Sequence, residues 1–197
     1  DIINKSIEID ANNAVAWRLT GIADRMNGNY INSIDALQKS LSIDKNTKTR
    51  IDLAKTYYLA GNLNEAIGQV RAALNDPAAP QNIYSLLESY YLEAGRISDL
   101  KNFYNENILK YPDSDIWFYR TGVFYLNQKD HAKAEEMLNK AWTLSLKRGG
   151  AIDAFDAYLQ ALIENGKYDL AIQTASKYTD GPLAIVAYSQ MANAKMK

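Results

Sequence analysis

Few residues in this chain could do chemistry, and they do not cluster. His131 is the only histidine and cysteine is absent. A multi-histidine metal site, a thiolate nucleophile, a disulfide and a cysteine-held metal are therefore all excluded. Glu135-Glu136, Asp153 and Asp156 are the carboxylates that a general acid–base pair would draw on, but their helical context predicts a solvated face. Gly149-Gly150 is not followed by the Lys-Ser/Thr of a phosphate-binding loop. Fourteen tyrosines and three tryptophans could stack on bases or sugars, yet most recur at one spacing and so read as packing residues. No catalytic residue, metal or cofactor is expected, and the chain does not read as an enzyme.

Charge and hydropathy narrow the partners. A net charge of −1 leaves no electrostatic footprint for nucleic acid or an anionic membrane. No apolar run approaches the roughly 18 residues of a membrane span, and no charged-then-apolar leader opens the sequence. Bacterial cytoplasm and periplasm both fit this composition. Asp1 lies inside a repeated segment, so the sequence reads as an excerpt of a longer protein.

The elements that position these residues repeat. Asn4-Lys5-Ser6-Ile7-Glu8-Ile9-Asp10 returns 34 positions later as Gln38-Lys39-Ser40-Leu41-Ser42-Ile43-Asp44. Gly28, Gly61 and Gly95 are 33 and 34 residues apart, and Gly166 follows after 71. Each glycine sits in a short polar break, where its tolerance of positive φ lets one helix end and the next begin. Gln128-Lys129-Asp130-His131 falls midway through the long gap and reads as a further turn without glycine. Between turns, apolar residues recur at helical spacing: Ile51, Ala54, Tyr57 and Tyr58, then Ala66, Ile67, Val70 and Ala73. The pattern predicts helices of roughly 12 to 15 residues, too short to stand alone in water. Paired helices stacked on their neighbours would bury those faces.

The pattern resembles the tetratricopeptide repeat family. Trp17, Gly21, Gly28 and Leu37 carry it first. Leu53, Ala54, Tyr57, Gly61, Ala66 and Ala73 follow, then Tyr84, Leu87, Tyr91, Gly95, Tyr104 and Pro112. Phe118, Gly122, Tyr125, Ala134, Leu138 and Ala141 match in the next unit; Phe155, Leu162, Gly166, Ala171 and Ala175 match in the last. The resemblance implies an all-α, right-handed α-solenoid of stacked antiparallel helix pairs, with about five units and partial terminal ones. Residues 1–13 read as the second helix of a truncated repeat. Units 14–46, 47–80, 81–114, 115–151 (with a short insertion at Lys147-Arg148-Gly149-Gly150) and 152–181 follow, and 182–197 reads as a terminal helix. Glu88 and Leu100 are bulky where the third unit should be small, which predicts splayed helices or a shifted register there. His131 takes the turn position filled elsewhere by Tyr30, Leu63, Ile97 and Tyr168, a packing role.

In this family the first helices of successive repeats line a groove that holds partner proteins. Carried onto this sequence, the groove residues include Arg18, Ile22 and Arg25; Lys48, Ile51, Lys55 and Tyr58; Ser89; and Tyr119 and Val123. The basic members fall early; the acidic ones, Glu93, Asp153, Asp156 and Glu164, fall late. The family's chaperone-tail clamp needs a Lys and Asn pair where this chain has Arg18 and Ile22, so chaperone tails are not expected as ligand. The leading reading is a non-enzymatic scaffold that holds an extended or helical segment of another protein or peptide. The alternatives are a self-assembling module that homo-oligomerises through its terminal helices, and a substrate-recruiting arm of a larger enzyme or of a secretion or envelope complex.

Overall fold

A computed structural model describes residues 2–80 and 82–197, with side chains from residue 5 onward. Asp1 and Gln81, with which two of the expected segments open, lie outside the described residues. Among those described the chain is helical throughout, without a strand. The helices are α1 (Ile2–Ile9), α2 (Ala14–Met26), α3 (Tyr30–Ile43), α4 (Thr47–Leu59), α5 (Leu63–Ala73) and α6 (Ile83–Glu93). They continue as α7 (Ile97–Lys110), α8 (Asp115–Asn127), α9 (His131–Leu146), α10 (Ile152–Glu164), α11 (Tyr168–Ala175) and α12 (Ala184–Lys195). Two 3-10 turns, Ser176–Tyr178 and Gly181–Leu183, join α11 to α12. Residues up to Leu100 form one compact unit and Lys101–Lys197 a second.

Local chemistry sets the helix ends. The Asn13 side chain accepts from the Ala16 N–H at 3.0 Å, and Asn46 accepts from the Lys48 N–H at 2.9 Å. Each satisfies a donor that the first helical turn leaves open. Gly28 closes α2 at a φ of 79°, and Lys129 adopts a φ of 59° at the turn that lacks glycine.

Within the first unit, α2 packs on α3, α3 on α4, α4 on α5 and α5 on α6. Gly21 makes the α2–α3 approach possible: a Cβ there would lie 2.5 Å from Leu37 Cγ. The Ser33 hydroxyl donates to the Gly21 carbonyl at 2.6 Å and lies 3.1 Å from the Thr56 hydroxyl, which donates to the Asp52 carbonyl. Small hydroxyl side chains thus fill close crossings while satisfying their own buried polar atoms. Leu37, Leu53, Leu87, Tyr91 and Leu100 are fully buried.

The second unit repeats the device. Gly122 faces Leu138, whose Cγ lies 2.4 Å from where a Cβ would stand. Leu138, Trp142, Phe155, Leu159 and Leu162 form the core, with Trp142, Phe155 and Tyr178 rings in mutual contact at 4.7–5.3 Å. The short insertion follows the 16-residue α9 and ends in two left-handed glycines, Gly149 and Gly150. A side chain at Gly150 would meet the Trp142 ring at 3.1 Å. Arg148, just before that pair, forms an ion pair with the buried Asp115 at the start of α8.

Candidate functional site

In the first unit the candidate surface is the face made by α2, α4 and α6. Asp52, only 7% exposed, organises it. Its Oδ2 accepts from Arg18 Nε at 2.7 Å. Arg25 Nη1 donates to the Asp52 main-chain carbonyl at 3.1 Å and stands 3.5 Å from Oδ1. One carboxylate therefore orients two guanidiniums, and the trio keeps a net positive charge. Lys48 and Lys55 lie about one turn to either side of Asp52 along α4, exposed and without an ion pair among the described residues. Ile22 and Ile51 are half-buried between the charged groups.

Aromatic side chains continue this face. The Tyr58 and Tyr90 rings stack with centroids 4.8 Å apart and planes 12° apart. The Tyr58 hydroxyl donates to the Glu93 carboxylate; this bond and the neighbouring negative charge push its pKa up. Burial pushes Tyr90 up to about 12, with Tyr58 and Glu93 adding to the effect and Arg25 opposing it. Ser89 is exposed on α6, its hydroxyl turned back to the Leu86 carbonyl at 2.8 Å. Met26, Leu59 and Leu92 are 80%, 49% and 47% exposed, so the apolar part of this surface faces solvent.

In the second unit the equivalent face is made by α8, α10 and α12. Tyr119 and Val123 are half-buried against the core cluster of Leu138 and Phe155. Burial raises the Tyr119 phenol pKa, the Asp153 and Asp156 charges raise it further, and Arg120 opposes them. Asp156 Oδ1 accepts from Gln190 Nε2 at 2.6 Å, and Gln190 Oε1 accepts from Asn193 Nδ2 at 3.2 Å. A recess of about 360 Å³ opens between α10 and α12 beside these amides. Ile163 is 6% exposed, whereas the corresponding Leu92 of the first unit is open.

The remaining reactive side chains serve structure. Glu135 accepts from Asn165 Nδ2 at 2.6 Å and from Lys167 Nζ at 2.7 Å, tying α9 to the α10–α11 turn. His131 is half-buried in the first turn of α9, and its Nδ1 has no hydrogen-bond partner. Among the described residues no three His, Asp or Glu side chains stand together as a metal site, and no helix is long and apolar enough to cross a membrane.

Three residues that matter were not singled out from sequence: Asp52, Gln190 and Asn193. Asp52 and Gln190 each carry a signal in their spacing, because Asp52 lies 34 residues after its partner Arg18 and Gln190 lies 34 after Asp156. Asn193 is bonded only within its own helix and leaves no such trace.

Comparison with known proteins defines the class. Residues 118–147 match the tetratricopeptide repeat family model. The C-terminal part of a TPR repeat-containing protein from Cytophaga hutchinsonii superposes with a TM-score of 0.62 at 16% identity, covering 99% of this chain and 72% of that one. YrrB, described as a TPR protein with an unusual peptide-binding site, superposes with a TM-score of 0.55 at 14% identity, covering 100% and 99%. In sequence, the uncharacterised protein ycf37 of Pyropia yezoensis is 35% identical over 65 residues, 33% of this chain and 36% of that protein. The match thus spans about a third of that relative's length. The chain has the fold of tetratricopeptide-repeat solenoids, and its residues 118–147 carry that family's sequence pattern. That fold is a scaffold for protein–protein interaction and is generally non-enzymatic.

Proposed function

We propose that this chain is a protein-binding scaffold whose α2–α4–α6 face holds an extended or helical segment of a partner, with that segment's acidic residues against Arg18, Arg25, Lys48 and Lys55. The observation that carries this reading is the Arg18–Asp52–Arg25 arrangement. A buried carboxylate holds both guanidiniums in place before any ligand arrives, so little side-chain entropy is lost on binding. Lys48 and Lys55 add free positive charge along the same helix. Tyr58, stacked on Tyr90, and the half-buried Ile22 and Ile51 supply apolar anchors beside it. Ser89 extends the surface onto α6. Tyr119 and Val123 play the anchoring part on the α8–α10–α12 face of the second unit. The likeness to YrrB supports a peptide as the kind of ligand such a scaffold accepts.

The test is affinity capture from native extract with the wild-type chain and with Lys48→Glu/Lys55→Glu. Both lysines are exposed and have no ion-pair partner among the described residues, so the variant should fold normally. Arg18 is a poorer probe, because its loss strands a buried carboxylate. The expected result is a partner held by the wild type, released as salt rises, and lost or strongly weakened in the variant. Equal capture by both proteins would remove the α2–α4–α6 face from the interaction.

A further inference from the structure

We infer that the recess between α10 and α12 is a socket for a cationic side chain, lysine or arginine, of a bound protein segment. This rests on the reading that the chain holds a partner protein, and it names a chemistry for the second unit that the first unit does not share.

The polarity of a short hydrogen-bond chain carries the argument. The Asp156 carboxylate only accepts, so Gln190 must turn its Nε2 toward it, at 2.6 Å. That choice points the Gln190 carbonyl at Asn193, which donates its Nδ2 at 3.2 Å. With its nitrogen so engaged, Asn193 offers its own carbonyl oxygen to a guest. Gln160 and Glu164 line the same recess, and neither has a hydrogen-bond or ion-pair partner among the described residues. The opening therefore offers the Glu164 carboxylate and the carbonyl oxygens of Gln160 and Asn193, while one N–H of Gln190 and one of Asn193 are already committed.

A guest that only donates fits such a lining, and ammonium and guanidinium groups are the donor-only side chains of proteins. Ile163 and Met196 complete the wall and give the methylene stem an apolar surface to lie along. Asp153, exposed one turn before Asp156 on α10, adds to a negative field that draws a cation in. Lys197 also lines the rim; its ammonium is a competitor that a guest must displace.

The experiment uses the whole chain and two capped Gly-Ser pentapeptides, one with a central lysine and the other with acetyl-lysine in its place. Binding is followed through the side-chain amide signals of Gln160, Gln190 and Asn193 in nitrogen-15 NMR spectra. The lysine peptide should bind with a dissociation constant on the order of millimolar and move those signals; the acetyl-lysine peptide should leave them in place. Glu164→Gln, an exposed and isosteric change, should weaken lysine binding by about three- to fivefold. Asp156→Asn frees Gln190 to turn either end outward, and should narrow the preference for lysine over acetyl-lysine. Equal response to the two peptides, or a response confined to other residues, would overturn the socket. Failure here beside intact, lysine-dependent partner capture through Lys48 and Lys55 removes the socket alone. A working socket in a chain that captures no protein removes the scaffold reading instead.

Discussion

One absent methyl group sets the distance between α8 and α9. A Cβ at Gly122 would stand 2.4 Å and 2.7 Å from Leu138 side-chain carbons and 3.2 Å from the Leu138 backbone nitrogen. Leu138 is fully buried and has nowhere to retreat. Gly122→Ala should therefore destabilise the second unit by about 1–3 kcal/mol, the usual range for overpacking a tight core. Gly68 is the internal control. It lies within α5 with nothing within 4 Å of a Cβ, so Gly68→Ala should stabilise by about 0.5–1 kcal/mol through lower unfolded-state entropy. Denaturant titrations of the two variants should move in opposite directions; a shared direction would refute the steric account. Tyr90 gives a second test at this scale. A tyrosine is neutral when protonated, and its folded pKa of about 12 stands above the ordinary 10. Its neutral form is thus favoured by folding, and this contribution, complete below pH 10, is lost as pH rises toward 12. Near-ultraviolet titration should show a late phenolate component that Tyr90→Phe abolishes.

At the scale of the element, the turn between α8 and α9 carries a cost that the other hairpin turns avoid with glycine. Lys129 holds a φ of 59°, a region costing a residue with a side chain about 1 kcal/mol or more. Lys129→Gly should raise the second unit's stability by roughly that amount. The Asp130 cap on the Lys133 N–H, at 3.3 Å, is independent of the substitution and should survive it. An unchanged or lowered melting temperature would show that the lysine side chain contributes something the backbone account omits. This turn also marks how far the sequence could be read. Spacing alone placed Gln128-Lys129-Asp130-His131 between two helices even without a glycine, because the period of apolar residues runs on through it. Which charged residues would meet across helices was harder to read. Arg18 pairs with Asp52 and Gln190 with Asp156, each 34 residues on, and Lys167 pairs with Glu135 at 32. Each pair spans about one repeat, so the period brings them close. Side-chain reach then decides which of several nearby carboxylates is taken, and that is settled in three dimensions. Counting groove cations from sequence thus gave four in the first two repeats, while Asp52 occupies two of them.

At the scale of the whole molecule, stability in such a fold is a sum of local terms, because each helix pair touches only its neighbours. The first unit rests on Leu37, Leu53 and Leu87, the second on Leu138, Phe155 and Leu162, and each has a glycine, Gly21 or Gly122, where a Cβ would clash with the facing leucine. Damage should therefore stay near its source. In the Gly122→Ala variant, amide hydrogen exchange should accelerate most in α8 and α9, less in α10, and little in α2 to α4. Breaking α8 from α9 costs less in the variant, while the buried Ser33 and Thr56 hydroxyls that tie α2, α3 and α4 are unchanged. Exchange measured by mass spectrometry on peptides from each helix resolves the gradient. A uniform rise across both units would mean that the chain opens only as a single cooperative body, and the strain at Gly122 would then be felt on the α2–α4–α6 face as well.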